Sequence, residues 1–87
     1  MNKYIVEFLG TLLLSFAVFS TGNYLAIGAA LAIAVLLGGA ISGGAFNPAI
    51  AFGFMISKKI TQMDFILYTI SEILGALAGF WLVKKML

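Results

Sequence analysis

Cysteine and histidine are absent from this chain, proline occurs once, and charge is scarce, at 9% of its 87 residues. Without cysteine there is no disulfide and no thiol chemistry, and without either residue the usual transition-metal ligand sets are missing. A water-soluble domain this small usually needs such staples. It would also carry about 25% charged and roughly 45–50% apolar residues, whereas here 63% are apolar, a balance that belongs in lipid. The acids are Glu7, Asp64 and Glu72 and the bases are five lysines, too sparse for an acid–base or nucleophilic constellation. No enzyme activity, catalytic residue, metal or cofactor is therefore expected. The net charge of +2 comes from lysines at segment ends, where they suit a membrane surface and do not suggest nucleic acid.

Long apolar runs are what the chain has in abundance. Residues 4–22 contain Glu7 as their only charge, residues 24–41 contain none, and residues 65–83 contain only Glu72. Each run is long enough to cross the hydrocarbon core as a helix, which takes about 17–25 residues. The expectation is an all-α membrane protein, integral and multi-pass, with three transmembrane helices in one unit over residues 1–87. The first run imitates a signal peptide in having Lys3 ahead of it, but Glu7 sits inside it and no Ala-x-Ala-like cleavage site follows, so it is read as a mature helix.

Ser20-Thr21-Gly22-Asn23 is a short turn-like link, which makes the first two helices antiparallel neighbours. After Ile41 comes Ser42-Gly43-Gly44-Ala45-Phe46-Asn47-Pro48, where regular helix should fail: adjacent glycines weaken it, and Asn47 before Pro48 reads as an N-cap with proline at the first helical position. The helix that starts there, residues 48–56, covers roughly 13–14 Å and cannot span. It is either a surface helix or buried segment, or a re-entrant half-helix that ends near mid-membrane. Irregular backbone at that depth is tolerated only where protein buries it or it lines a watery cavity, so the re-entrant reading implies a pore or a partner.

Ser42-Gly43-Gly44-Ala45-Phe46-Asn47-Pro48-Ala49 resembles the Asn-Pro-Ala re-entrant loop of the aquaporin and glycerol-facilitator family. Glu7-Phe8-Leu9-Gly10-Thr11-Leu12-Leu13-Leu14 resembles its first-helix signature, Leu25-Ala26-Ile27-Gly28 its second helix, and the segment from Tyr68 to Gly79 its third. The resemblance covers essentially the whole chain and identifies it as a half-length member with a single motif. It implies a pore in which two half-helices meet at mid-membrane, with their asparagines facing the water file. Half a pore cannot conduct, so the resemblance further implies a second copy in inverted orientation, or a different half elsewhere.

The same resemblance suggests roles for individual residues. Asn47, with Pro48 and Ala49, would orient passing water where the half-helix tip is electropositive, interrupting proton hops; the blander account is that Asn47 only caps a helix. Carbonyls of Gly43, Gly44, Ala45 and Phe46 would form a ladder of acceptors. Glu7, with Thr11 one turn away, would brace the loop, and Glu72 stands where relatives usually carry glutamine; buried, it would be protonated or share a donor from the loop. Ile27, Val35 and Ile50 are the constriction candidates. Ile50 follows the motif where relatives carry arginine after their second motif, and Ile27 takes an aromatic position, so the constriction should be less polar and wider than in a strict water channel. Ala45 replaces a common loop histidine. Gly75 and Gly79 on the third span and Gly28 and Ala32 on the second are small-residue pairs suited to close helix packing. Trp81 reads as an interfacial anchor, with Tyr4 as a second.

Lysines near span ends set insertion direction. Lys3, Lys58 and Lys59 fall on one side of the membrane and Lys84 and Lys85 on the other, a weak bias that suits insertion both ways. The expected function is passive passage of water and small uncharged solutes such as glycerol, through pairs of inverted chains in the lipid bilayer that can cluster further. Alternatives are a non-conducting interaction subunit or remnant, one half of a heteromeric channel, and a proton-coupled transporter using Glu7 or Glu72.

Overall fold

The computed structural model describes all residues from 1 to 87, and every regular element is helical: α1 (Lys3–Thr21), α2 (Tyr24–Ser42), α3 (Pro48–Ile56) and α4 (Gln62–Met86). α1, α2 and α4 are long and apolar enough to cross a membrane. The longest dimension is 39 Å, which exceeds the roughly 30 Å hydrocarbon thickness of a bilayer.

Each boundary has a local cause. Asn2, Asn23 and Asn47 start α1, α2 and α3 by accepting hydrogen bonds from first-turn N–H groups, which lack partners within the helix. α4 opens on a reciprocal capping box, in which Thr61 and Asp64 each satisfy the other's backbone. That box starts the helix at Gln62, ahead of the apolar run that begins at Phe65. α1 and α2 end on Gly22 (φ 57°) and Gly43 (φ 89°), left-handed positions that glycine occupies without a Cβ penalty.

α1 is the central element and packs on both α2 and α4, while α3 rests on α4. The α1–α4 crossing is close because of two glycines. A methyl on Gly75 would lie 2.5 Å from the Phe8 carbonyl oxygen, and one on Gly79 would lie 2.8 Å from that of Leu12. Gly28 on α2 has nothing within 4 Å of such a methyl, and Ala32 is exposed, so that small-residue pair packs on no helix of its own chain.

Polarity is distributed inside out relative to a soluble domain. Only 18 of 87 residues are buried, and they include Glu7, Thr11, Ser15, Ser42, Asp64 and Glu72, whereas Leu25, Leu36, Leu37 and Leu77 are exposed. An apolar exterior over a polar seam is what a lipid solvent selects. At one end of the bundle Lys3 Nζ pairs with Asp64 Oδ2 at 3.0 Å, and the Tyr4 hydroxyl donates to Asp64 Oδ1 at 2.7 Å. This ties the start of α1 to the start of α4, beside Lys58 and Lys59, while Lys84 and Lys85 lie in the last turn of α4 at the opposite end. Trp81 is exposed near that end, with Lys85 Nζ 5.1 Å from its ring centroid.

Candidate functional site

Residues 43–47 carry the chain from the end of α2 to the start of α3, and the backbone donors of residues 43–46 are all bonded within the protein. Gly43 N–H donates to the Gly39 carbonyl at 2.8 Å and Gly44 N–H to Ser42 Oγ at 3.1 Å. Ala45 N–H and Phe46 N–H donate to the two carboxylate oxygens of Glu7 at 3.2 and 2.7 Å. Ser42 Oγ adds a third bond to Glu7, at 2.7 Å. Glu7 is fully buried, so these three donors replace water around its carboxylate. Thr11 does not take part, contrary to the expectation that it helps Glu7 brace the loop: its hydroxyl is buried without a partner, and its Cβ packs against Gly75.

The acceptors behave in the opposite way. No hydrogen bond within the chain ends on the carbonyl oxygen of Gly43, Gly44, Ala45 or Phe46. The preceding carbonyl, of Ser42, does have a donor, the buried Tyr68 hydroxyl at 2.6 Å. The loop is thus stitched down by its N–H groups and left with a run of free acceptors.

Phe46 locks this arrangement. Its φ of 52° is left-handed, a conformation that costs a bulky L-residue about 1–2 kcal/mol, and its ring is wedged into the α1–α2 interface. There it packs with Val6 and Ala34 and occupies the space that a methyl on Gly10 would need. Its side chain therefore offers nothing to a loop surface. Ala45 is likewise buried, against Ala51 and Tyr68.

Asn47 is exposed. Its Oδ1 accepts from Ala49 N–H at 2.7 Å while its carbonyl takes Ala51 N–H at 2.9 Å. The amide NH₂ donates to nothing in the chain and extends the electropositive tip of α3, where unpaired N–H groups concentrate positive charge. Pro48, Ala49 and Ile50 are exposed on the first turn. Val35 is exposed beside the loop, its Cγ2 3.4 Å from where a methyl on Gly44 would lie. Ile27 is half-buried, two turns back along α2 toward Tyr24.

Glu72 projects into the same buried seam at 1% exposure. Neither of its carboxylate oxygens has a hydrogen-bond partner, and its neighbours are the Glu7 carboxyl and the Asn47 backbone amide. Each glutamate thus backs a different part of the loop. Ser42 and Tyr68 escape a reading by sequence alone. Tyr68 carries one trace, since it precedes Glu72 by four residues and so shares its helix face.

The fold and this loop define an integral, multi-pass, all-α membrane protein in which a half-length helix is fed by a braced, acceptor-rich segment. The family model described as Major intrinsic protein matches residues 20–87. Glycerol uptake facilitator protein-like 6 of Lactiplantibacillus plantarum is 40% identical over 94 residues, covering 98% of this chain and 44% of that protein. Aquaporin TIP2-1 of Arabidopsis thaliana is 34% identical, covering 97% of this chain and 41% of that protein. Aquaglyceroporin AqpS of Rhizobium meliloti is 35% identical, covering 90% and 40% respectively. The chain belongs to the major intrinsic protein family, and it spans less than half the length of these relatives. No solved structure matches it.

Proposed function

We propose that this chain is one half of a passive channel for water and small uncharged solutes such as glycerol, completed by a second copy inserted in the opposite orientation. One observation carries the reading: the loop donors are bound by Gly39, Ser42 and Glu7, while no donor of the chain reaches the carbonyls of residues 43–46, the segment that leads to the exposed Asn47. In a bilayer, unpaired carbonyls persist only against a partner or along a watery path, and a row of them suits molecules that donate hydrogen bonds as they pass. α3 has nine residues and is about 13–14 Å long, so it reaches roughly half the hydrocarbon depth as a re-entrant segment. A second half-helix entering from the other leaflet would bring two Asn47 amides together at mid-membrane.

Water between two such tips would turn its oxygen toward both amides, with its hydrogens pointing away in either direction. The two dipole ends oppose cations and break proton hopping. Ile27, Val35 and Ile50 make the narrow parts aliphatic, which favours neutral solutes with some apolar surface. The names of the relatives, a glycerol uptake facilitator and aquaporins, support the same substrate class.

The test is stopped-flow osmotic shrinkage of liposomes containing the purified chain alone. The expected result is faster shrinkage than in empty liposomes, with Asn47→Asp altering the water rate or opening an ion leak. Shrinkage at the empty-liposome rate would point to a heteromeric half or a non-conducting subunit. A proton leak abolished by Glu72→Gln would point to a transporter.

A further inference from the structure

The row of free carbonyls raises a problem of selectivity. Carbonyl oxygens in a row are the groups with which cation channels replace an ion's hydration shell, so the feature that favours water also invites monovalent cations at the loop's outer end. Ile50 after the motif brings no positive charge to the half-helix. The loop does meet one cation. Lys59 reaches back across Gly43: a methyl on that glycine would lie 3.2 Å from Lys59 Cε and 3.5 Å from its Nζ.

Two contacts hold the lysine there. Its N–H donates to the Phe54 carbonyl at 2.8 Å, and its Nζ stands 4.3 Å from the centroid of the Phe54 ring. A cation over an aromatic face at that distance is attracted by the ring quadrupole. The same Phe54 ring lies 3.2 Å from the methyl position on Gly43, so loop, ring and ammonium form one cluster. The Lys3–Asp64 ion pair nearby leaves Lys59 without a carboxylate of its own.

We propose that Lys59 is a specificity-determining residue, a tethered ammonium at the outer end of the loop that cancels the negative potential of the first free carbonyls and so turns free monovalent cations away. The proposal rests on the channel reading above. Fields at a low-dielectric mouth are focused strongly enough to change the local concentration of an ion by about ten-fold or more. In an inverted pair each mouth carries its own Lys59, so an ion meets the same charge from either side.

The experiment measures water and potassium flux on the same proteoliposomes, for the wild-type chain, Lys59→Gln, Lys59→Arg and Phe54→Leu. Lys59→Gln is expected to keep its water rate within about two-fold and raise potassium flux about ten-fold. Lys59→Arg should stay at the wild-type level, and Phe54→Leu, which frees the ammonium from its ring, should fall between. Potassium flux in Lys59→Gln equal to wild type, with water flux intact, overturns the proposal and leaves the channel standing. Absence of water flux in every protein overturns both. Lys59 is exposed, so its replacement does not threaten folding.

Discussion

At the scale of single residues the decisive contrast lies between two buried glutamates. Glu7 accepts from three donors, whereas both carboxylate oxygens of Glu72 are unpaired. Glu7→Gln would replace one acceptor oxygen by an NH₂ group that faces N–H or O–H donors, and each buried donor left unpaired costs about 1–3 kcal/mol. A clear drop in thermal stability in detergent is expected, together with loss of osmotic flux. Glu72→Gln deletes no hydrogen bond that the structure contains and places an amide donor beside Glu7, so its melting temperature should equal or exceed that of the wild type. Matching losses in the two variants would contradict this division of roles. Part of the site is legible in the residues themselves. Asn before Pro and two adjacent glycines are local signals, so a helix break between Ser42 and Pro48 can be read directly. The partners of the loop cannot be read, because the Glu7 and Tyr68 bonds join positions 26 to 39 residues apart and only tertiary packing selects them. The same limit explains why Thr11, one helical turn from Glu7, looks like a loop contact in sequence and is drawn instead to Gly75.

Among the helices, the α1–α4 crossing positions everything else, since α1 carries Glu7 and α4 carries Tyr68 and Glu72. Gly75 and Gly79 let the two backbones approach, with Thr11 Cβ and Ser15 Cβ each 3.0 Å from the methyl positions. Gly75→Leu would have to push against the backbone carbonyl of Phe8, and overpacking of this kind costs about 1–3 kcal/mol. The variant should unfold at lower temperature and lose flux, whereas Gly28→Leu, whose site faces open space within one chain, should leave the isolated helices intact and show its effect only in association. Far-UV circular dichroism on heating, with particle mass in lipid nanodiscs, separates the two outcomes. The all-α architecture with three long apolar helices is readable because length and hydropathy decide it together. α4 outruns its apolar run at both ends: the Thr61–Asp64 capping box starts it at Gln62, and its last turn carries Lys84 and Lys85, features that an apolar-run criterion does not register.

For the molecule as a whole, the proposed inverted pairing turns on how charge is distributed between the two ends. Lys3, Lys58 and Lys59 stand at one end and Lys84 and Lys85 at the other, and Lys3 is engaged by Asp64. With so little asymmetry the insertion rule for lysines gives neither direction a strong advantage. Replacing Lys84 and Lys85 together by serine leaves positive side chains at one end only. The expected outcome is a single orientation by cysteine accessibility, with osmotic flux falling toward that of empty liposomes because no inverted partner remains. Flux that survives in a uniformly oriented population would argue against inverted pairing.

The free carbonyls of residues 43–46 reach beyond transport. In hydrocarbon, each uncovered acceptor costs several kcal/mol; on the inverted-pair proposal, docking with the second copy would therefore also be the last step of folding. On that proposal the thermodynamic unit is the assembled pair, and melting in lipid is expected to depend on protomer concentration. Surplus copies left without a mate would be natural prey for membrane quality control.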